Sequence, residues 1–322
     1  MSEPGGTGTV AIVGGAGAVG SSTAFALMDS SLVGEIVLVD IDDERAAGEA
    51  IDLNHGAYFT SSVTVRSGGY EDCWDADVVI VTAGASQRPE ETRLDLLERN
   101  ADIFAEMIPE VTAGLNDDAV LLVVTNPVDV LSHVAWQVSD LPAERVIGSG
   151  TVLDTSRFRH ALSREFEIDS ANVHAYVIGE HGDSEVLVWS SANLGGVPID
   201  TYCDQRGVDD VEALESRIET AVREAAYEII ERKDRTNYGV ARSVSAIVER
   251  ILGDDDAILT VSTLVTGRHG IDGVYLSLPC VVNRGGVREV LGFDLAATER
   301  SALRDSADVI RESIEQLDLD DE

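Results

Sequence analysis

A doubly wound α/β fold, a parallel sheet with helices on both faces, is predicted by three features of this sequence. Short apolar runs rich in Val and Ile recur through the first half, at residues 9–13, 35–40, 76–82, 119–125 and 145–148. Strands covered on both faces read as continuous apolar runs, because neither face meets water. Stretches of helical spacing lie between them, residues 21–30 and 42–54 first, and β–α alternation implies parallel strands. The third feature is a glycine-rich turn directly after the first run.

That turn is Gly14-Gly15-Ala16-Gly17-Ala18-Val19-Gly20, in which Gly15, Gly17 and Gly20 give G-x-G-x-x-G spacing. Glycines there permit a tight strand-to-helix turn and let backbone N–H groups approach a pyrophosphate at the helix N-terminus, the Rossmann arrangement. The second strand ends in Asp40, twenty residues beyond Gly20. An acid at that place accepts from ribose hydroxyls and repels a 2′-phosphate, so the expected cofactor is NAD rather than NADP. A purely structural glycine turn is the alternative. Ligands in such sheets sit at the carboxyl ends of the strands. The candidate cofactor contacts are therefore Gly15, Gly17, Ala18, Val19, Gly20, Asp40, Ile41, Thr82, Ala83, Gly84 and Asn126.

The remaining elements follow in order. Residues 42–54 place Ala46, Ala47, Ala50, Ile51 and Leu53 on one helical face, and His55 reads as a structural hydrogen-bonding residue. Residues 85–93 are polar, contain Pro89 and start at the cofactor edge, which suggests a lid. Arg93 at its end is placed to stabilise charge developing on a substrate oxygen.

The second half changes character to a smaller α+β domain. A helix over 153–166 carries Asp154 and Arg157, three apart and so on one face. Their pairing is either an intrahelical salt bridge or something more useful: Arg157 forking a ligand carboxylate and Asp154 holding an imidazole. That imidazole is His181, in Gly179-Glu180-His181-Gly182-Asp183, just after an apolar run over 173–178. A histidine near neutral pKa can give or take a proton. Helices are expected over 211–233 and 238–252, strands over 257–264, 273–282 and 287–291, and a last helix over 296–316. The expected organisation is a flexible leader (1–8), an NAD-binding domain (9–149), a substrate domain (150–316) and an acidic tail (317–322).

Composition narrows the setting. The 322 residues are 44% hydrophobic, as in globular chains, and no apolar run reaches the roughly 18 residues of a membrane span. Asp plus Glu outnumber Lys plus Arg 59 to 23, and the net charge is -36, with Lys233 the single lysine. Such a chain repels nucleic acid and anionic membranes. Self-repulsion on this scale calls for screening, and at about 1 M salt the Debye length falls to about 3 Å. A high-salt cytoplasm is the expected home. Cys73, Cys203 and Cys280 are odd in number and match no metal or disulfide spacing, so they are expected as reduced thiols, and no metal is expected.

With these motifs in hand, the chain resembles the L-2-hydroxy-acid dehydrogenases, the lactate and malate dehydrogenase family, over residues 10–314. The resemblance is carried by the glycine turn, Glu91-Thr92-Arg93-Leu94-Asp95-Leu96, Thr125-Asn126-Pro127-Val128-Asp129, Leu153-Asp154-Thr155-Ser156-Arg157-Phe158-Arg159 and the segment around His181. It implies His181 as acid/base, Asp154 as its orienting partner, Arg93 and Arg157 as the substrate arginines, and Asn126 beside the nicotinamide. Malate enzymes of the family present a lid arginine to the second carboxylate, and Gln87 aligns with it here. A neutral amide cannot balance that charge in a closed site, so pyruvate and lactate are favoured over oxaloacetate and malate. Asp183-Ser184-Glu185 also looks like the lactate branch, and Thr236 would narrow the same pocket. Arg88 stands next to Gln87, and the acidic composition resembles halophilic malate enzymes, so malate remains the alternative. Another is an NAD-binding redox sensor without turnover. Arg159 and His174 align with residues that bind fructose 1,6-bisphosphate in activated lactate dehydrogenases, and family members form homodimers or homotetramers.

Overall fold

Six parallel strands form the spine of the molecule. The computed structural model describes residues 6–60, 63–85, 88 and 92–317. In order, the first half is β1 (Gly8–Val13), α1 (Ala18–Leu27), β2 (Val33–Val39), α2 (Asp43–Gly56), β3 (Thr64–Gly68), β4 (Val78–Val81), α3 (Arg93–Thr112), β5 (Val120–Val123), α4 (Val128–Val138) and β6 (Val146–Gly148). The second half is α5 (Val152–Phe166), the two-residue strands β7 (Val173–His174), β8 (Val177–Ile178), β9 (Val186–Leu187), β10 (Asn193–Leu194) and β11 (Val197–Pro198), and then α6 (Ile199–Arg206), α7 (Val211–Arg223), α8 (Ala225–Lys233) and α9 (Tyr238–Gly253). It closes with β12 (Ala257–Leu259), β13 (Ser262–Val265), β14 (Val274–Ser277), β15 (Cys280–Asn283), β16 (Gly286–Val290) and α10 (Ala297–Glu315).

The main sheet runs β14-β13-β6-β5-β4-β1-β2-β3. The six first-half strands pair in parallel, as the apolar runs predict. The second half extends this sheet: β13 joins β6 and β14 joins β13, both antiparallel. Alternate residues feed opposite cores. Ala11, Val13, Val79 and Val81 face one, while Val10, Ile12, Val78 and Ile80 face the other. Each of these Val and Ile side chains contributes about 1.5–3 kcal/mol of burial, which is why both faces require helices. A third core, around Phe158, Leu162, Ile199, Leu214 and Ile218, belongs to the second half.

Three expected elements are broken in two. The helix over 211–233 stops at Arg223 and restarts at Ala225, so α8 leaves α7 at Glu224. The run over 257–264 is β12 and β13, and that over 273–282 is β14 and β15, parted at Pro279, which has no N–H for a ladder. His55 is exposed at the end of α2, and its expected structural role belongs to Asn54. The Asn54 amide donates to the Val65 carbonyl and accepts from the Val65 N–H at 3.1 Å, which ties α2 to β3. Among the described residues no helix is long and apolar enough to cross a membrane.

Candidate active site and dinucleotide cleft

The glycine turn is as tight as its spacing predicts. Gly14 and Gly15 both donate to the Val39 carbonyl, at 2.8 and 3.0 Å, closing the end of β1 onto β2. Gly14 has φ of +85°, and a Cβ there would lie 2.5 Å from the Ala83 nitrogen. A Cβ on Gly20 would meet the Gly14 carbonyl oxygen at 2.3 Å, so any side chain would push α1 off the turn. Gly17 precedes α1 with no side chain capping the helix, which leaves its first N–H groups available to an anion.

Asp40 does two jobs at the end of β2. Its Oδ2 accepts from the Ala16 N–H at 3.0 Å, and its Oδ1 accepts from the Asp42 N–H at 3.1 Å. A cleft of about 350 Å³ opens beside it, lined by Val13, Gly14, Gly17, Asp40, Ile41, Thr82, Ala83 and Gly84. Tyr70, Ile103 and Met107 complete its apolar wall, and sequence reasoning missed them because they come from a 3₁₀ turn and from α3. A second cleft, of about 390 Å³, continues past Gly17, Ala18, Val19 and Gly20 to Thr82 and Thr236. An apolar slot, an acid at its rim and an open helix N-terminus in series suit an adenine, a ribose and a pyrophosphate, so the residues fit NAD.

The candidate proton-transfer group is built from two elements 27 residues apart. Ile178 ends β8, and Gly179 turns the chain with φ of +90°. A Cβ there would lie 2.7 Å from Ser306 Oγ. Gly179 exchanges both backbone hydrogen bonds with Ser277 of β14, and the Glu180 N–H donates to Ser306 at 2.8 Å. His181 is thus held by its backbone before its ring is considered. Its N–H donates to Asp129 Oδ2 at 2.7 Å, while Asp129 Oδ1 accepts from the Ser262 hydroxyl at 2.6 Å.

Asp154 lies in the first turn of α5, and only 2% of it is exposed. Its Oδ2 is 2.5 Å from His181 Nδ1, and its Oδ1 accepts from Arg157 Nη1 at 2.6 Å. The helix thus carries the salt bridge of the first reading, and the same carboxylate holds the imidazole of the second. Burial opposes ionisation of Asp154, but attraction to His181 and Arg157 outweighs it and lowers its pKa. For His181, burial again favours the neutral form, and Asp154, Asp129 and Glu185 outweigh it, raising the pKa to about 9. Burial raises Asp129 to about 6 despite its two hydrogen bonds. Glu185, 4% exposed, is raised above the carboxylate range by burial and by Asp154.

Arg93 stands apart from this group. It opens α3, its side chain is 80% exposed, and it lies 3.5 Å from Asp183, two residues beyond His181. It also donates to the Tyr227 hydroxyl at 3.4 Å, and Tyr227 donates to Asp183 at 2.8 Å. Asn126 is exposed at the carboxyl end of β5, and Thr236 lines the cofactor cleft. Gln87 and most of the lid segment lie outside the described residues, as do 1–5 and 318–322; Arg88 is described and exposed. Arg159 donates through Nε to the Ala175 carbonyl at 3.0 Å, beside the exposed His174, and its guanidinium lies over the Tyr176 ring. Sequence reasoning missed Glu185 as a buried acid, Tyr227 as the hydroxyl holding Arg93, and the part played by Asp129. A charged residue inside the apolar stretch 128–131 was the signal for the last of these.

Comparison with known proteins agrees with this arrangement. Residues 9–148 match the family described as lactate/malate dehydrogenase, NAD binding domain, and residues 151–318 its alpha/beta C-terminal domain. An L-lactate dehydrogenase of Moorella thermoacetica is 51% identical over 311 residues, covering 96% of this chain and 98% of that protein. L-lactate dehydrogenase 1 of Clostridium acetobutylicum is 48% identical over 303 residues, 94% of this chain and 96% of its own. The crystal structure of the minor L-lactate dehydrogenase of Enterococcus mundtii in its ligands-bound form superposes with a TM-score of 0.93 at 40% identity, covering 97% of this chain and 99% of that one. Matched in both halves, and carrying both a glycine cradle and an aspartate-held histidine, this chain belongs to the lactate/malate dehydrogenase family.

Proposed function

We propose that the chain is an L-lactate dehydrogenase that interconverts pyruvate and L-lactate with NAD. The observation that carries the reading is the Arg157–Asp154–His181 chain of contacts, at 2.6 and 2.5 Å, in a protein similar to L-lactate dehydrogenases over nearly its whole length. Held by the residues of the two clefts, NAD would supply the hydride chemistry. The chain's own residues do the rest. Nδ1 of His181 is taken by Asp154, so the proton handed to the substrate oxygen sits on Nε2. With a pKa of about 9 the ring is an imidazolium at neutral pH, ready to protonate the carbonyl oxygen of pyruvate. Lactate oxidation uses the neutral ring, which takes the hydroxyl proton. Arg157 keeps one N–H on Asp154 and turns its others to the substrate carboxylate. Arg93 leaves Asp183 and Tyr227 to meet the substrate oxygen as the lid closes, which also excludes water.

The direct test is loss of NADH absorbance with pyruvate and, separately, with oxaloacetate. Pyruvate is expected to be the better substrate by kcat/KM, and equal or reversed rates would favour the malate reading. No turnover with either would favour the redox-sensor reading. Gln87→Arg is expected to raise oxaloacetate use relative to pyruvate by at least tenfold, because a buried second carboxylate gains a charge partner. An unchanged ratio would assign the selecting position to Arg88.

Regulation and setting follow the same reading. Arg159 is desolvated enough to lower its pKa and has no acid within ion-pair reach among the described residues, which suits it to an anion. With His174 it forms our proposed fructose 1,6-bisphosphate contact, across a twofold axis of a homotetramer. The sugar bisphosphate is then expected to lower the pyruvate concentration at half-saturation, and Arg159→Ser to abolish that response. Curves superimposable with and without it would discard the site. We place the enzyme in a reducing, salt-rich cytoplasm, in keeping with three buried free thiols and the net charge of -36.

A further inference from the structure

Acids outnumber bases 59 to 23 in this chain, and most arginines in ion-pair reach of a partner have found a carboxylate. One cluster has not. Arg300 and Arg304 stand four apart on α10 and so share a face, which meets the turn between β13 and β14. Arg268 comes from that turn. No described acid lies within 4 Å of any of the three.

Two of the three guanidinium groups are held by backbone instead. Arg304 Nε donates to the His269 carbonyl at 3.1 Å, and Arg300 Nη2 to the Leu295 carbonyl at 3.3 Å. Two glycines make room. A Cβ on Gly270 would lie 3.2 Å from Arg304 Nη2, and one on Gly292 would lie 3.2 Å from Arg268 Nη1. The turn is fixed by the Ile271 N–H donating to the Arg268 carbonyl at 2.8 Å, with His269 at φ of +53°. His269 stacks edge-on against Phe293, and all three arginines act on it. With burial, they hold its imidazole below the ordinary histidine pKa. Three cations without an acid in ion-pair reach among the described residues thus stand together on a strongly negative molecule. Bringing like charges together costs energy that a carboxylate nearby would have relieved, while each backbone-held guanidinium keeps most of its five donors free.

We propose that Arg268, Arg300 and Arg304 form a surface site for a small multivalent oxyanion of the phosphate class. Its arginines line neither of the two clefts and are not part of the Arg157–Asp154–His181 contacts. Three guanidinium forks on one oxyanion match the charge-assisted, bidentate geometry that binds phosphate. The free ion and a phosphate ester share that chemistry.

Equilibrium dialysis with labelled inorganic phosphate tests the proposal, in the full-length protein saturated with NADH and at constant ionic strength in KCl. Arg304→Ser and, separately, Arg268→Ser are expected to remove one phosphate per chain, or to weaken that one at least tenfold, as loss of a charged hydrogen-bond donor does. NADH oxidation with pyruvate is expected to stay within twofold, which also reports that the variants are folded. Arg206→Ser, which removes an equal charge where the guanidinium bonds Tyr202, is expected to leave phosphate binding unchanged. A simple phosphate ester that competes with the labelled ion for that one equivalent would assign the site to esters as well as to the free ion. Wild-type stoichiometry and affinity in Arg304→Ser would overturn the proposal. So would equal weakening in Arg206→Ser, which would reduce the effect to bulk charge. A change in sedimentation of Arg304→Ser with phosphate binding intact would also overturn it, by assigning the arginines to a subunit contact.

Discussion

His181→Gln is expected to lower kcat/KM for pyruvate by about 10³-fold, within the 10²–10⁴ range of a positioned general acid. Glutamine keeps a polar head of similar reach but has no proton to give. The Asp129 contact is made by the backbone N–H of residue 181, so the loop is expected to keep its path. NADH binding, measured by fluorescence, should stay within twofold, since His181 lines neither of the two clefts. The pH profile gives the sharper reading. In the native enzyme, pyruvate reduction should hold level through neutrality and fall as pH rises through about 9, where the imidazolium is lost. Lactate oxidation should rise over the same interval. Asp154→Asn removes the main attraction holding the proton on His181, so the alkaline limb should move down toward the ordinary histidine value of about 6.5. If His181→Gln keeps a tenth of the activity, or if Asp154→Asn leaves the limb in place, the proton route is wrong.

The same charges set a stability window. The folded His181 pKa lies above the unfolded value, so its contribution is complete below about 6.5 and is lost as pH rises through about 9. Asp154 runs the other way. Its folded pKa is depressed, so its contribution is present above the ordinary aspartate range and is lost as pH falls through the folded value.

The cradle was readable in the sequence because its constraints are local and steric. Gly14 needs a positive φ and Gly20 needs empty space against a carbonyl, and both demands recur at fixed spacing wherever the turn is made. The parallel order of β1 to β6 was readable for a related reason, since two-sided burial writes itself into every residue of a strand. The junction of the two halves was not. Nothing in the apolar run at 257–264 distinguishes a strand of the second half from one that joins β6, because that choice is made by Ser262 opposite Gly148. The break at Glu224 was hidden because polar residues continue through it. The meeting of Asp154 with His181 depends on β8 and α5 packing together, so periodicity is silent about it, and only the residue types, a carboxylate and an imidazole, pointed to it. Asp129 and Glu185 were legible only as acids in apolar surroundings, a signal that marks a buried partner without naming it.

Arg157→Lys should separate substrate binding from proton transfer. On the proposed function the guanidinium serves two anions at once: one N–H is on Asp154 at 2.6 Å, and the remaining fork is left for the substrate carboxylate. A lysine ammonium is a point charge on a flexible stem. It can keep the attraction to Asp154 or turn toward the substrate, but it cannot present parallel donors to a carboxylate while bonded to another. Losing one charged hydrogen bond costs about 1.5–3 kcal/mol, so kcat/KM for pyruvate is expected to fall about 10²-fold. The loss should appear mainly in KM, because the clamp holds the carboxylate in substrate and transition state alike. The alkaline limb near pH 9 should change little, since Asp154 and Asp129 still face His181. A KM within twofold of native would mean that Arg157 serves only the helix salt bridge. A fall in kcat at unchanged KM, with the pH limb displaced, would mean that it acts through Asp154 on the imidazole instead.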